Sequence, residues 1–230
     1  MKLTIIGASG HGKVVADIAK LNGYDEIEFL DDDKTIKFCG KYQVTGTSDD
    51  AHLKNNAVFI AIGNNLIRQR IMEQLVGQNI PVLIHPNAIV AEDVEIGKGT
   101  VIMAGAVINP GTKIGKGVIV NTCSSIDHDC MIGDYVHVAV GSHICGTVNV
   151  KESTWIGAGA TIINNLDVGS SCFIGAGTVV TKDLETTGTY IGVPAKLMKK
   201  EKDVHWGGTF FKLNGRDVPF ANLLNREVAG

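Results

Sequence analysis

Three histidines crowd a short stretch in the second half of the chain: His128, His137 and His143. Imidazole is the side chain poised to take a proton near pH 7, so acid–base chemistry is sought here first. His128 lies in the run Asn121-Thr122-Cys123-Ser124-Ser125-Ile126-Asp127-His128-Asp129-Cys130. A carboxylate beside an imidazole can fix its tautomer and support the imidazolium, and Asp129 fills that place. Plainer readings stand beside this one. A solitary histidine is more often structural, and an aspartate at position 129 also suits a left-handed corner for backbone reasons alone. Gly146 follows His128 by 18 residues; a glycine lets a ligand approach the main chain, so its N–H could meet a developing oxyanion. No serine or cysteine is placed as an obvious nucleophile, which favours direct transfer over a covalent intermediate. His143 receives no role.

The elements that must position these residues are set by a repeat. From Ile84 to Val180 an Ile or Val recurs at every sixth residue without a gap. Four residues after each aliphatic comes a small or modest side chain. The column just before it is mostly Gly, Asn or Asp, the residues that tolerate left-handed backbone. A period of six fits neither an α-helix nor a flat alternating strand. It fits a parallel β-helix of hexapeptides, 18 residues to a three-sided coil, spanning residues 84–185 and nearly six coils. Thr186 breaks the series. Of the 28 glycines, most of those in this segment fall in two columns, and Gly146, one coil above His128, is the exception. His128 falls in an outward column. His137 and His143 are six residues apart and so lie on successive sides, which disfavours the competing reading of a shared zinc site.

Residues 1–83 read differently. Strands at Lys2–Ile6, Glu26–Leu30, Ala57–Ile62 and Ile80–Ile84 alternate with helices over Lys13–Leu21 and from about Asn65 to Gly77, implying a small parallel, Rossmann-like α/β sheet. Gly7-Ala8-Ser9-Gly10-His11-Gly12 after the first strand could present N–H groups to a phosphate. Acids follow the second strand at Asp31-Asp32-Asp33. The glycine spacing is not that of a dinucleotide fingerprint, and only half a doubly wound fold fits, so a mononucleotide or nucleotide-sugar is the better expectation.

Taken together, G-A-S-G-H-G-K-V, L-D-D and the hexapeptide repeat resemble the sialic acid O-acetyltransferase family of hexapeptide acyltransferases, most closely its N-acetyltransferases of UDP-4-amino-4,6-dideoxy sugars in the bacillosamine pathway. The resemblance covers residues 1 to about 198. It implies a left-handed β-helix, a homotrimer with active sites at subunit interfaces, acetyl-CoA as co-substrate and no metal. It further implies His128 as general base with Asp129, and His137 as a second active-site histidine near the acyl carbonyl. Gly10, His11, Asp31, Asp32 and Asn121 match as nucleotide-sugar contacts. Ala158 and Ala176, one coil apart, would leave a track for CoA, and Tyr190-Ile191-Gly192-Val193-Pro194-Ala195-Lys196 resembles the family's exit motif, placing Val193, Pro194 and Lys196 near that cofactor. Acetylation of sialic acid, a GDP- or dTDP-amino sugar as acceptor, a γ-type zinc carbonic anhydrase and a non-catalytic trimeric scaffold are the alternatives.

Composition bounds these readings. With 230 residues, 44% hydrophobic content and only 5 prolines, the chain has a sizeable core and is neither collagen-like nor disordered. A formal net charge of -3 gives no global basic field for nucleic acid or anionic membrane. No apolar run is long enough to span a bilayer, and no signal peptide is read at the start. Five cysteines without a C-x-x-C pair suit a reducing, cytoplasmic setting. Residues 186–230, with an Asn-Gly hairpin pattern near 210–220, are read as an exit motif and tail without assigned function.

Overall fold

The computed structural model of the chain describes residues 1–198 and two further strands, Phe210–Leu213 and Arg216–Pro219. Met1–Leu197 form one compact unit and Met198–Gly230 a second. No helix among the described residues is long and apolar enough to cross a membrane.

The N-terminal region builds a five-stranded sheet. Its strands are β1 (Lys2–Ile6), β2 (Glu26–Leu30), β3 (Phe38–Cys39), β4 (Tyr42–Gly46) and β5 (Ala57–Ile60), in the order β3-β4-β2-β1-β5. All neighbours are parallel except β3 and β4. Helix α1 (Gly10–Leu21) buries Val15, Ala16, Ile18 and Ala19, the stripe expected of an amphipathic helix. It starts three residues earlier than the apolar pattern suggests. Gly10-His11-Gly12 form its first turn, because Gly12 lets the helix sit directly on the end of β1: a Cβ there would land on the Gly7 carbonyl oxygen. The strand expected over Ile80–Ile84 is also different. Only Leu83–Ile84 is extended, and it pairs with Val101–Ile102, 18 residues on. It belongs to the β-helix, since it lies in register with the first coil.

From there the chain winds through three parallel sheets. The first face carries Leu83–Ile84, Val101–Ile102, Ile119–Val120, His137–Val138, Trp155–Ile156 and Phe173–Ile174; the second runs from Ile89–Val90 to Val179–Val180; the third from Glu95–Ile96 to Asp167–Val168. The 18-residue register is kept throughout, so Ile108, Ile126, Ile144, Ile162 and Val180 stack in one buried column. The small-residue column is more than filler. The Thr112 and Thr154 hydroxyls donate to the Asp127 and Gly169 carbonyls at 2.8 Å, and Ser124 and Ser142 serve Asn121 and Ala139 at 2.7 Å. Buried corner carbonyls thereby keep partners, which an all-aliphatic column would deny them.

The corner column holds a surprise for propensity. Every sixth residue from Gly99 to Gly177 has positive φ, including Cys123, Tyr135, Thr147, Ser153 and Ser171, which do not favour it. The coil geometry, repeated above and below, overrides the local cost. The stacking also outlasts the aliphatic period. Thr189–Ile191 lies parallel on Phe173–Ile174, with Tyr190 opposite Ile174, two residues short of a full coil. Lys196–Leu197 then turns back antiparallel.

The α/β sheet and the first face share a core: Leu3, Ile5, Val15 and Phe29 pack in one cluster with Leu83, Val101 and Ile119. In the second unit, Phe210–Leu213 and Arg216–Pro219 pair antiparallel. Asn214 and Gly215, expected to form their turn, lie outside the described residues.

Candidate active site

His128 stands at the corner between the second and third faces, just after Ser125–Ile126. Its ring is more than half exposed, and Nδ1 lies 2.8 Å from Asp129 Oδ2. That contact, reinforced by the nearby Asp127 charge, raises the imidazole above its ordinary 6.5. Asp129 has φ 56, so the corner reading and the carboxylate reading both hold at one residue. Its side chain drops over Gly111 of the coil below, where a Cβ would strike Asp129 Oδ1. Asp127, which the sequence reading passed over, accepts the His128 N–H at 2.9 Å and the Asn109 amide at 2.6 Å.

Gly146 closes the corner from above. A Cβ at Gly146 would lie 2.5 Å from His128 Nε2 and 2.7 Å from Cε1. Only glycine lets the imidazole lie across the next coil. Among the described residues the Gly146 N–H has no acceptor, while its carbonyl takes the Asn165 N–H. A free main-chain donor beside a basic nitrogen can receive developing negative charge. Gly146→Ala is expected to push the ring out of place and lower kcat of the reaction proposed below by about 10- to 100-fold, because small misplacements of a reacting group are costly. Steady-state kinetics at saturating substrates check this.

His137 sits elsewhere. It lies on the first face, 5% exposed, with its ring centroid 4.1 Å from that of Trp155. Nε2 is 3.3 Å from the Asn121 amide nitrogen. With that amide donating, Nε2 accepts and the ring proton rests on Nδ1 on the side of the Gly63 main chain; among the described residues neither this nitrogen nor His11 Nε2, both buried, makes a well-formed hydrogen bond. Burial first, then the Arg68 cation, holds His137 well below its ordinary value and His11 at about 4. Both rings are therefore neutral at physiological pH. The corner between the second and third faces is opposite the first face of a triangular coil. One chain thus does not bring His137 to His128. Nine residues are half a coil, so within a single chain the two histidines lie on opposite sides of the β-helix. His143, on the second face, pairs with Ser125 Oγ at 2.9 Å.

Arg68 of helix α2 (Asn65–Gln74) is the residue that sequence reasoning missed. It is 1% exposed and has no carboxylate partner among the described residues. Nε donates to the Gly117 carbonyl (2.7 Å), Nη1 to Ile62 and Gly63 (2.8 and 2.9 Å), and Nη2 to Tyr135 (2.7 Å) and Asn65 Oδ1 (3.0 Å). It binds the α/β region to two coils and lies beside both neutral histidines. Burial depresses it to about 9, so it stays charged at pH 7.

In the α/β region, Asp31 Oδ2 accepts the Ala8 N–H at 2.7 Å and Asp32 Oδ1 accepts the Ser48 N–H at 2.9 Å. Each carboxylate thus holds a loop at the sheet end, Asp31 fixing the glycine turn itself. Gly10 opens α1, whose N-cap Ser9 makes no side-chain cap and whose first turn lacks acids. These N–H groups are oriented to favour an anion.

Ala158 and Ala176 are exposed at the corner between the first and second faces, in one stack with Thr122 and Val140. The flanking Gly159 and Gly177 owe their identity to φ 65, as a Cβ at either would meet nothing. Val193, Pro194 and Lys196 are exposed where the chain leaves this corner, and the Ala195 N–H ties it to the Val179 carbonyl. Asn121 lies at the same corner, one residue before this stack. Of the sequence-predicted residues, His128, Asp129 and Gly146 meet at one corner, Asn121, Ala158, Ala176 and the exit segment lie at the next, and Gly10, His11, Asp31 and Asp32 stay in the α/β region, with His137 beside His11.

Comparison with known proteins adds to this geometry. Residues 2–75 match the PglD N-terminal domain model and residues 81–110 the bacterial transferase hexapeptide model. The acetyltransferase domain of PglB from Neisseria gonorrhoeae FA1090, solved with acetyl coenzyme A, superposes with a TM-score of 0.81 at 42% identity, over 86% of this chain and 98% of that one. PerB from Caulobacter crescentus, solved with CoA and GDP-perosamine, superposes with a TM-score of 0.81 at 33% identity, over 86% and 98%. The UDP-N-acetylbacillosamine N-acetyltransferase of Bacillus subtilis (strain 168) is 37% identical over 110 residues, 44% of this chain; the match spans 51% of that relative's length.

Proposed function

Because the chain belongs to the hexapeptide-repeat acyltransferases of the sialic acid O-acetyltransferase family, we propose that it transfers the acetyl group of acetyl-CoA to the 4-amino group of a nucleotide-linked amino-dideoxy sugar. The acceptor expected is a UDP-4-amino-4,6-dideoxy-N-acetylhexosamine. The observation that carries the proposal is the His128 ring, tethered to Asp129 through Nδ1 and laid with Nε2 across Gly146, whose N–H has no acceptor among the described residues.

The chemistry follows from that arrangement. Asp129 keeps the proton on Nδ1, leaving Nε2 as the base. As the amine nitrogen attacks the thioester carbon, Nε2 takes its proton. The tetrahedral oxyanion rests on the Gly146 N–H. Collapse breaks the C–S bond, and the imidazolium returns the proton to the sulfur of the departing CoA. The products are an amide and a free thiol, with no acyl-enzyme.

Three copies of the chain supply what one lacks. The first coils of the first face are covered by the α/β region, and the third face is charged, with Glu95 and Lys113 paired at 2.7 Å. The second face presents Ile89, Val107, Ser125, His143, Thr161 and Val179, none of them an acid, lysine or arginine. The two candidate corners flank this face on opposite edges. Packing second faces about a threefold axis lays the His128 corner of one copy against the Ala158–Ala176 corner of the next, and the five cysteines are free, as suits the reducing cytoplasm. A thermal-shift and co-crystal screen of UDP-, GDP- and dTDP-4-amino sugars tests the acceptor. The UDP sugar is expected to bind and stabilise best. Preference for a GDP or dTDP sugar, or for sialic acid, would replace the acceptor named here.

A further inference from the structure

We propose that Asp127, held by Asn109 of the coil below, is a positioning residue for His128 that fixes its main chain and sets the field in which its ring works. The proposal rests on reading His128 as the base. It stands on geometry that the Asp129 contact does not supply. One oxygen, Asp127 Oδ1, takes both the Asn109 amide at 2.6 Å and the His128 N–H at 2.9 Å. The first bond anchors the carboxylate to a neighbouring coil; the second turns that anchor into a restraint on the histidine backbone. His128 is thus gripped from two sides, its N–H by Asp127 and its Nδ1 by Asp129 at 2.8 Å.

The surroundings of the ring are few. The coil below offers Asn109 and Gly111, and the coil above Gly146; the charges acting on the imidazole are those of Asp129 and Asp127. The bond from Asn109, then the one from the His128 backbone, holds Asp127 below its usual range, so it is anionic wherever the base is active. A second negative charge favours the imidazolium that forms during attack. Asn-over-Asp stacking is not by itself special. Asn149 donates to Asp167 one coil apart at 3.0 Å on the third face, and no histidine hangs from that pair. The same sheet motif has been joined to a titrating ring at only one of the two places.

The test uses the full chain and four variants. Asp127→Asn keeps an acceptor for the His128 N–H and removes the charge. It is expected to move the acid limb of kcat/KM to lower pH by a few tenths of a unit, an effect that shrinks as salt is raised. The His128 ring, followed by histidine NMR titration, should shift the same way. Asn109→Ala leaves the charge and frees the carboxylate, so it should lower kcat by about 3- to 10-fold with the limb unmoved. Asp167→Asn should change neither. A His128 titration in Asp127→Asn that superimposes on that of the parent protein overturns the proposal. His128→Ala separates the two ideas: retained activity there removes His128 as the base, whereas the NMR titration still reads the influence of Asp127 on the ring.

Discussion

Arg68→Met is expected to cost about 3 kcal/mol of stability and to lower the melting temperature by about 6–12 °C. Two large effects oppose each other at this residue. Burial disfavours the guanidinium; its fall from the ordinary arginine range to about 9 corresponds to about 5 kcal/mol. Against that stand five charge-assisted hydrogen bonds, each worth roughly 1.5–3 kcal/mol. The bonds win, and methionine forfeits them while filling similar space. It leaves the buried Gly117 and Tyr135 carbonyls without donors, which is where the damage concentrates. A pH effect follows. His11 and His137 are depressed in the folded chain, so the unfolded chain takes protons that the folded one refuses. Stability therefore falls as pH drops below about 6.5 toward 4. Without the Arg68 cation one cause of that depression is gone for both rings, and the slope becomes shallower. Calorimetry across pH 4 to 7.5 would show both; a stabilised Arg68→Met would mean that desolvation dominates.

His128→Ala is expected to lower kcat by about 10²- to 10⁴-fold, the range for losing a general base, with little change in CoA affinity. The proposed trimer and nucleotide-sugar binding should persist, because the ring is exposed and packs into no core. The parent protein should lose activity as pH falls through a value above 6.5, since Nε2 must be unprotonated to act and the two aspartates favour its protonated form. Asp129→Asn should move that limb down, as the first cause of the upward shift is its contact with Nδ1. Full activity in His128→Ala would leave the corner as architecture only.

The β-helix was legible because each coil repeats one instruction: an inward aliphatic every six residues. Its corners were only half legible. Glycine, asparagine and aspartate announced them, but Tyr135 and Thr147 adopt the same left-handed backbone under pressure from the coils around them, which no local rule foretells. The site divides along the same line. His128, Asp129 and Gly146 were readable because 18-residue stacking converts sequence distance into contact. That arithmetic also leads from Asn109 to Asp127, a signal available but not followed. Arg68 was not readable: it stands two residues from Arg70 on one helix, and only the docking of that helix distinguishes the buried cation from the exposed one. His137 lies half a coil from His128, on the far side of the same chain, so its expected place near the acyl carbonyl calls for the neighbouring copy of an interface site.

The central claim is acetyl transfer to a sugar amine, and turnover tests it most directly. The protein is mixed with acetyl-CoA and a UDP-4-amino-4,6-dideoxy sugar, and free thiol and acetylated sugar are measured together by absorbance and mass spectrometry. The prediction is one thiol released per N-acetylated sugar, with no acetyl group retained on the protein. Thiol release without an acetylated sugar, or no turnover with UDP-, GDP- or dTDP-4-amino sugars, would contradict it.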